Sequence, residues 1–102
     1  MDMKENRDNV QSGINYLLSN ENMIYIIDCF VESPPGYSET IENLSRRSGV
    51  EENNVVDCLS ELDKLDVIEF DTETYSINDE SQILMELHKL NNAINISRAE
   101  TN

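Results

Sequence analysis

The chain has 102 residues, enough for one domain with one core but not for two lobes around a cleft. Seven Lys and Arg stand against 21 Asp and Glu, a net charge of −14 that argues against a generic basic nucleic-acid binder. The longest apolar runs, Met23 to Ile27 and Ile83 to Met85, are far too short to span a bilayer, no basic-then-apolar leader begins the chain, and two cysteines without repeat spacing point to reduced thiols in a cytoplasmic protein. Residues 1–8 carry few apolar groups and are expected to be loose, with a single domain over 9–97. From Asn9 on, Val10, Ile14, Leu17 and Leu18 fall at helical spacing. Ser19 to Asn22 interrupt that face, and Met23, Ile26, Ile27, Phe30 and Val31 mark a second, more deeply buried helix. It must stop before Ser33-Pro34-Pro35-Gly36, because proline cannot extend a helix and restricts the residue before it. A short helix follows over Ile41–Ser48, with Thr40 as N-cap and Gly49 ending it. The next helix is expected over Glu51–Leu65, with Val55, Val56, Cys58, Leu59, Leu62 and Leu65 inward and Glu51 and Glu52 at the positive end of its dipole. The period then changes to alternation: Val67 to Phe70 and Thr74 to Ile77 flank Asp71-Thr72-Glu73, which predicts a β-hairpin. Asn78-Asp79 are expected to cap a last helix over about 79–97, whose Ile83, Leu87, Leu90 and Ile94 are spaced four, three and four.

The acids are spread among apolar residues at helical spacing, so the chain reads as folded and acidic all round. Such a surface with only three Lys resembles proteins of salt-loving archaea; in molar salt the Debye length falls to ~3 Å and like-charge repulsion is screened.

The order helix, short helix, tight turn, helix, hairpin carries a second resemblance. Thr40-Ile41-Glu42-Asn43-Leu44-Ser45-Arg46-Arg47-Ser48-Gly49-Val50 is similar to the helix-turn-helix of winged-helix regulators, with Ser45 small at the helix crossing and Gly49 in the turn. Leu62-Asp63-Lys64-Leu65-Asp66-Val67-Ile68-Glu69 resembles the usual exit into the wing, with Asp66, which tolerates a left-handed backbone, where glycine is common. Tyr75-Ser76-Ile77-Asn78-Asp79-Glu80-Ser81, then Leu84, Leu87, His88, Leu90 and Ile94, resemble the end of a group of archaeal winged-helix regulators, with Gln82 in place of proline. The likeness covers roughly residues 14–96. It implies a mainly α, α+β fold: a winged helix-turn-helix with the helix-turn-helix at about 40–65, a two-stranded wing at about 67–77 and a C-terminal dimerisation helix at about 79–97. It implies as well a cytoplasmic, homodimeric, MarR-like regulator that binds double-stranded DNA.

In that arrangement the second helix of the motif would present Asn53 and Asn54 near base edges, where Asn can read adenine, and Arg46, Arg47 and Lys64 to phosphates. The expected dimer contact runs through Val10, Ile14 and Leu17 of the first helix and Ile83, Leu87, Leu90 and Ile94 of the last. From Ser38 to Asn78 there are 11 acids and three bases, a local net of −8. That imbalance keeps a second reading open, a winged helix whose acidic or DNA-mimicking face meets a basic protein partner. His88 has no second ligand at metal spacing, Cys29 and Cys58 sit at apolar positions as small hydrophobes, and the four tyrosines read as packing residues. No nucleophile motif, phosphate-binding glycine loop or metal-spaced cluster is present, so neither an enzyme nor a cofactor is expected.

Overall fold

The computed structural model describes residues 12–101. In chain order they form α1 (Gly13–Leu18), α2 (Glu21–Val31), β1 (Ser38–Thr40), α3 (Ile41–Ser48), α4 (Glu52–Lys64), β2 (Ile68–Asp71), β3 (Thr74–Ile77) and α5 (Gln82–Thr101). The three strands make one antiparallel sheet in the order β1-β3-β2. This is a winged helix-turn-helix: α3 and α4 are the motif and β2–β3 the wing.

Local chemistry sets most of the boundaries. Ser12, Asn20 and Thr40 each accept a backbone N–H of the helix they start, at 3.1, 2.9 and 3.1 Å. Gly49 ends α3 with φ +76°, and a Cβ there would meet nothing within 4 Å, so glycine is favoured by backbone angle alone. α4 closes in a Schellman motif: Val67 N–H donates to Leu62 O and Asp66 N–H to Asp63 O, both at 3.0 Å, with Asp66 at φ +60°. Asn78 Nδ2 donates to Asp66 O at 2.8 Å and fastens that left-handed turn to the end of the wing.

The core lies where α2, α3 and α4 pack over the sheet. Ile26, Phe30, Leu44, Val55, Leu59 and Leu62 are completely buried, with Val50 sealing the helix-turn-helix corner. Ser45 Oγ donates to Val50 O across that corner. Phe30 and Tyr75 meet ring to ring at 5.2 Å, joining α2 to β3. Cys29 and Cys58 are both buried free thiols within this core.

Five expectations need correction. The wing is not a lone two-stranded hairpin: β1 pairs with β3, Glu39 opposite Tyr75, in a strand too short to show alternation. Asn78-Asp79 do not cap the last helix; Ser81 does, its Oγ accepting Leu84 N–H at 3.1 Å, while Asn78 serves the turn. α5 runs on to Thr101 rather than stopping near 97. One continuous helix from Asn9 to Leu18 is not formed, since Ser12 is extended (ψ 157°) and α1 starts after it; Val10 lies outside the described residues. Of the tyrosines, Tyr75 is buried and Tyr37 half-buried, but Tyr16 and Tyr25 are half-exposed and donate to Glu61 and Glu21, both at 2.7 Å.

Candidate nucleic-acid interface

The amphipathic pattern of α4 buries Val55, Cys58, Leu59 and Leu62 and turns Glu52, Asn53, Asp57, Asp63 and Lys64 to solvent. Glu51, at the N-cap, makes no side-chain cap bond. Beside this start stands the wing turn, held by Ile41 N–H donating to Glu73 O at 2.9 Å. Between them lies a groove of about 500 Å³, lined by Glu42, Glu52, Asn53, Val56, Glu73 and a rim of threonines. Asn53 is thus exposed at the groove, whereas Asn54, one position on, is half-buried. Lys64 is at the other end of α4, 11 residues or about 16 Å along the axis from Asn53. The helix therefore does not bring Lys64 together with Asn53.

Each of the three cations near the motif is held by a carboxylate of its own chain. Arg46 pairs with Glu42 at 2.7 Å on the exposed face of α3, and Lys64 with Glu61 at 3.5 Å. Exposed pairs of this kind stabilise by only about 0–1 kcal/mol, so either cation exchanges its carboxylate for a phosphate at little cost. Arg47 differs. Its partner Glu39 has a side chain only 4% exposed, against 35% for Arg47 itself. Glu39 also accepts from Tyr75 Oη at 2.6 Å and Tyr37 Oη at 3.3 Å. Arg47 Nη2 donates further to Cys29 O at 3.3 Å and Ser33 Oγ at 3.4 Å, and its guanidinium lies 5.5 Å from the Tyr37 ring centre. One side chain of α3 is thereby tied to the end of α2 and, through Glu39, to β1 and β3. The sequence carried no signal for this: Glu39 is one acid among 21, and only pairing with β3 turns it inward.

Burial pushes the Cys29 and Cys58 thiols above their ordinary range. Burial, then the bond to Glu39, raises the Tyr75 phenol well above its own. All three are therefore neutral when folded at pH values where they ionise in the unfolded chain. Their contribution is complete below the unfolded values and is lost as pH rises, from about 8.5 for thiols and about 10 for tyrosine. Urea midpoints measured from pH 7 to 11 should fall over that window, and Tyr75→Phe should flatten the part above pH 10. An equally steep decline in that variant would remove Tyr75 from the account.

The residues expected at a dimer contact come together, apart from Val10. Ile14, Leu17, Ile83, Leu87 and Leu90 line one apolar groove, and Leu87, Leu90 and Ile94 line another. His88 is half-buried near Pro34, Pro35 and Ile77, away from those grooves. Among the described residues no group of His, Cys, Asp and Glu is placed to hold a metal ion, and no helix is long and apolar enough to cross a membrane.

No protein-family model matches the chain, and no curated protein matches it in sequence. In structure it is similar to NolR from Sinorhizobium fredii, known from a crystal structure, with a TM-score of 0.58 over 92% of both chains at 17% identity. At that identity the likeness is one of fold.

Proposed function

We propose that this chain is a DNA-binding transcriptional regulator that acts as a homodimer in the cytoplasm, in concentrated salt. The observation that carries the reading is the winged helix-turn-helix with the outer face of α4 open to solvent beside the wing. A second helix so presented enters the major groove with its N-terminal residues at base edges. The NolR likeness supports the fold on which this reading rests. Asn53 is assigned to base edges, with Asn54 behind it; Arg46 is assigned to phosphate near the motif and Lys64 to phosphate at the far end of α4. Arg47 acts by fixing α3 against the wing, with one edge of its guanidinium left for phosphate. The order of the sequence motifs supports a MarR-like sort of regulator, in one domain from about residue 9 to the end of α5 at Thr101. The acidic composition fits an organism rich in intracellular salt.

The acids of this face bear on affinity. Phosphate attraction is the main source of DNA affinity and weakens with salt, and here Glu42, Glu52 and Glu73 oppose it. Molar KCl weakens both the attraction and that repulsion, so binding rests on base contacts more than on charge. Selection of bound fragments from random DNA at molar KCl should therefore return a defined sequence. Against that sequence Asn53→Ala should cost about 1–3 kcal/mol of preference if the contact is bidentate. Arg46→Ala should weaken all sequences alike. Should the native protein select no DNA at any KCl concentration while Glu51→Lys with Glu52→Lys creates binding, the DNA reading fails. The acidic groove between α3, α4 and the wing would then point to a basic protein partner.

A further inference from the structure

Both ends of α3 are tied to the sheet. At its start Ile41 N–H donates to Glu73 O of the wing turn at 2.9 Å, and Thr40, the residue before, pairs with Thr74 in the β1–β3 ladder. At its end Arg47 donates to Glu39, one position away on the same ladder and opposite Tyr75. Glu39 is itself fixed by Tyr75 Oη at 2.6 Å and Tyr37 Oη at 3.3 Å, so the carboxylate that receives α3 is held in place. The first turn of α4 depends on α3 for its position. Glu51 gives it no side-chain cap, and the first buried residue of α4 is Val55, two positions after Asn53. Ahead of Val55 the chain is held by Val50 in the corner and by Ser45 Oγ donating to Val50 O. Ser45 and Arg47 lie on one turn of α3, so a shift at Arg47 passes through Ser45 and Val50 to Asn53. Across the groove from Asn53 stands Glu73, the residue that holds the start of α3.

We propose that Glu39 is a positioning residue for sequence choice: acting through Arg47 and α3, it sets where Asn53 stands against the wing. The inference rests on the DNA-binding reading above and names a residue, remote from the DNA, that decides how strongly one sequence is preferred. Two distance laws separate preference from affinity. A hydrogen bond to a base edge weakens steeply once it is stretched or misaligned. Attraction between a cation and a phosphate falls only slowly with distance and has little angular demand. Loosening the end of α3 therefore spoils the reading of bases by Asn53 and leaves general attraction to DNA as it was. Glu39 is suited to this role because its side chain is only 4% exposed, so DNA has no access to it.

Glu39→Gln tests this, because the amide keeps the size and one acceptor oxygen and removes the charge that holds Arg47. Competition between the selected sequence and an unrelated fragment of equal length reads preference. Glu39→Gln should lower it about fivefold or more, the lower end of what one bidentate base contact supplies. Affinity for the unrelated fragment, and its dependence on KCl, should stay as in the native chain. A loss of folded protein alone would weaken both fragments by one factor and leave preference unchanged. Amide exchange reads the tie without DNA: Ile41 N–H should exchange faster in the variant, relative to Val67 N–H at the far end of α4. If Glu39→Gln does not fold, Arg47→Lys takes its place, since Lys keeps the charge but lacks the fork that reaches Glu39, Cys29 O and Ser33 together. The same two results are expected of it. If the native chain selects DNA and the variant keeps its preference, this inference is overturned and the DNA reading stands. An Ile41 amide that exchanges no faster overturns it as well. So does a salt dependence steeper by about 0.9 in the log–log slope, because Glu39 would then be withholding Arg47 from a phosphate. A native chain that selects no DNA at any KCl concentration overturns the DNA reading and this inference together.

Discussion

Replacing Glu39 with alanine should cost about 2–4 kcal/mol of stability, a large share of the 5–15 kcal/mol that holds a domain together. Removing the carboxylate leaves Tyr75 Oη buried with its acceptor gone, and an unsatisfied buried donor costs about 1–3 kcal/mol. It also leaves Arg47 facing the interior without its counter-charge. Arg47 is partly exposed and recovers some hydration, which holds the sum below that of a fully buried broken pair. Tyr75→Phe should cost less, about 1 kcal/mol, because Glu39 keeps Arg47 and Tyr37. Urea unfolding in molar KCl gives both values. The assignment is wrong if Glu39→Ala costs less than Tyr75→Phe, since the carboxylate would then be a bystander.

The second large effect is that of salt on the whole fold. With 16 acids and three bases between residues 12 and 81, carboxylates stand on α2, α3, α4, β1 and β2 and in the turns beside them, and most face solvent. At 0.01 M salt the Debye length is about 30 Å, comparable with the 26 Å short axis of the molecule, so nearly every pair of acids is felt. At 1 M it is about 3 Å and only contacts count. The melting temperature should therefore climb steadily from dilute to molar KCl. One measurement separates this from the proposed dimerisation: a variant carrying Leu90→Asp and Ile94→Asp, chosen to break the expected dimer contact, should climb as well. A flat curve in both proteins would remove the case for adaptation to high salt and leave the fold untouched.

What could be read from the sequence was what neighbouring residues decide among themselves. Thr40 caps its own helix, Gly49 takes its own left-handed angle, and Asp66 does the same two residues before β2. The apolar periods of α2 and α4 likewise named their buried faces, down to Cys29 and Cys58. What stayed hidden depends on partners distant in the chain. β1 is a strand only because β3 is there to pair with it. Glu39 is interior only because Tyr75 stands opposite and Arg47 reaches down from α3. The end of α5 was missed for another reason. Ser97-Arg98-Ala99-Glu100 has no apolar row, but a missing row reports exposure, not the end of a helix, and Arg, Ala and Glu are good helix formers. At the candidate interface the residue types were legible. That Arg46 and Lys64 are loosely held while Arg47 is locked was not, since all three are cations near acids and only burial tells them apart.

The sheet has two outer edges, β1 and β2, and an edge of unpaired amides and carbonyls invites strands from other molecules. In molar salt the repulsion that keeps acidic proteins apart no longer acts at a distance, so protection against fibril-like stacking has to be local. β1 is three residues long, follows Pro34-Pro35, and carries the carboxylate of Glu39 on its inward side. A strand added along it finds no length to zip against. β2 is four residues long and turns Glu69 and Asp71 to solvent, so a copy laid beside it sets carboxylates against carboxylates at contact range, where salt screens least. The glutamate that anchors Arg47 inside the fold thus sits in the strand that keeps one edge of the sheet closed to aggregation.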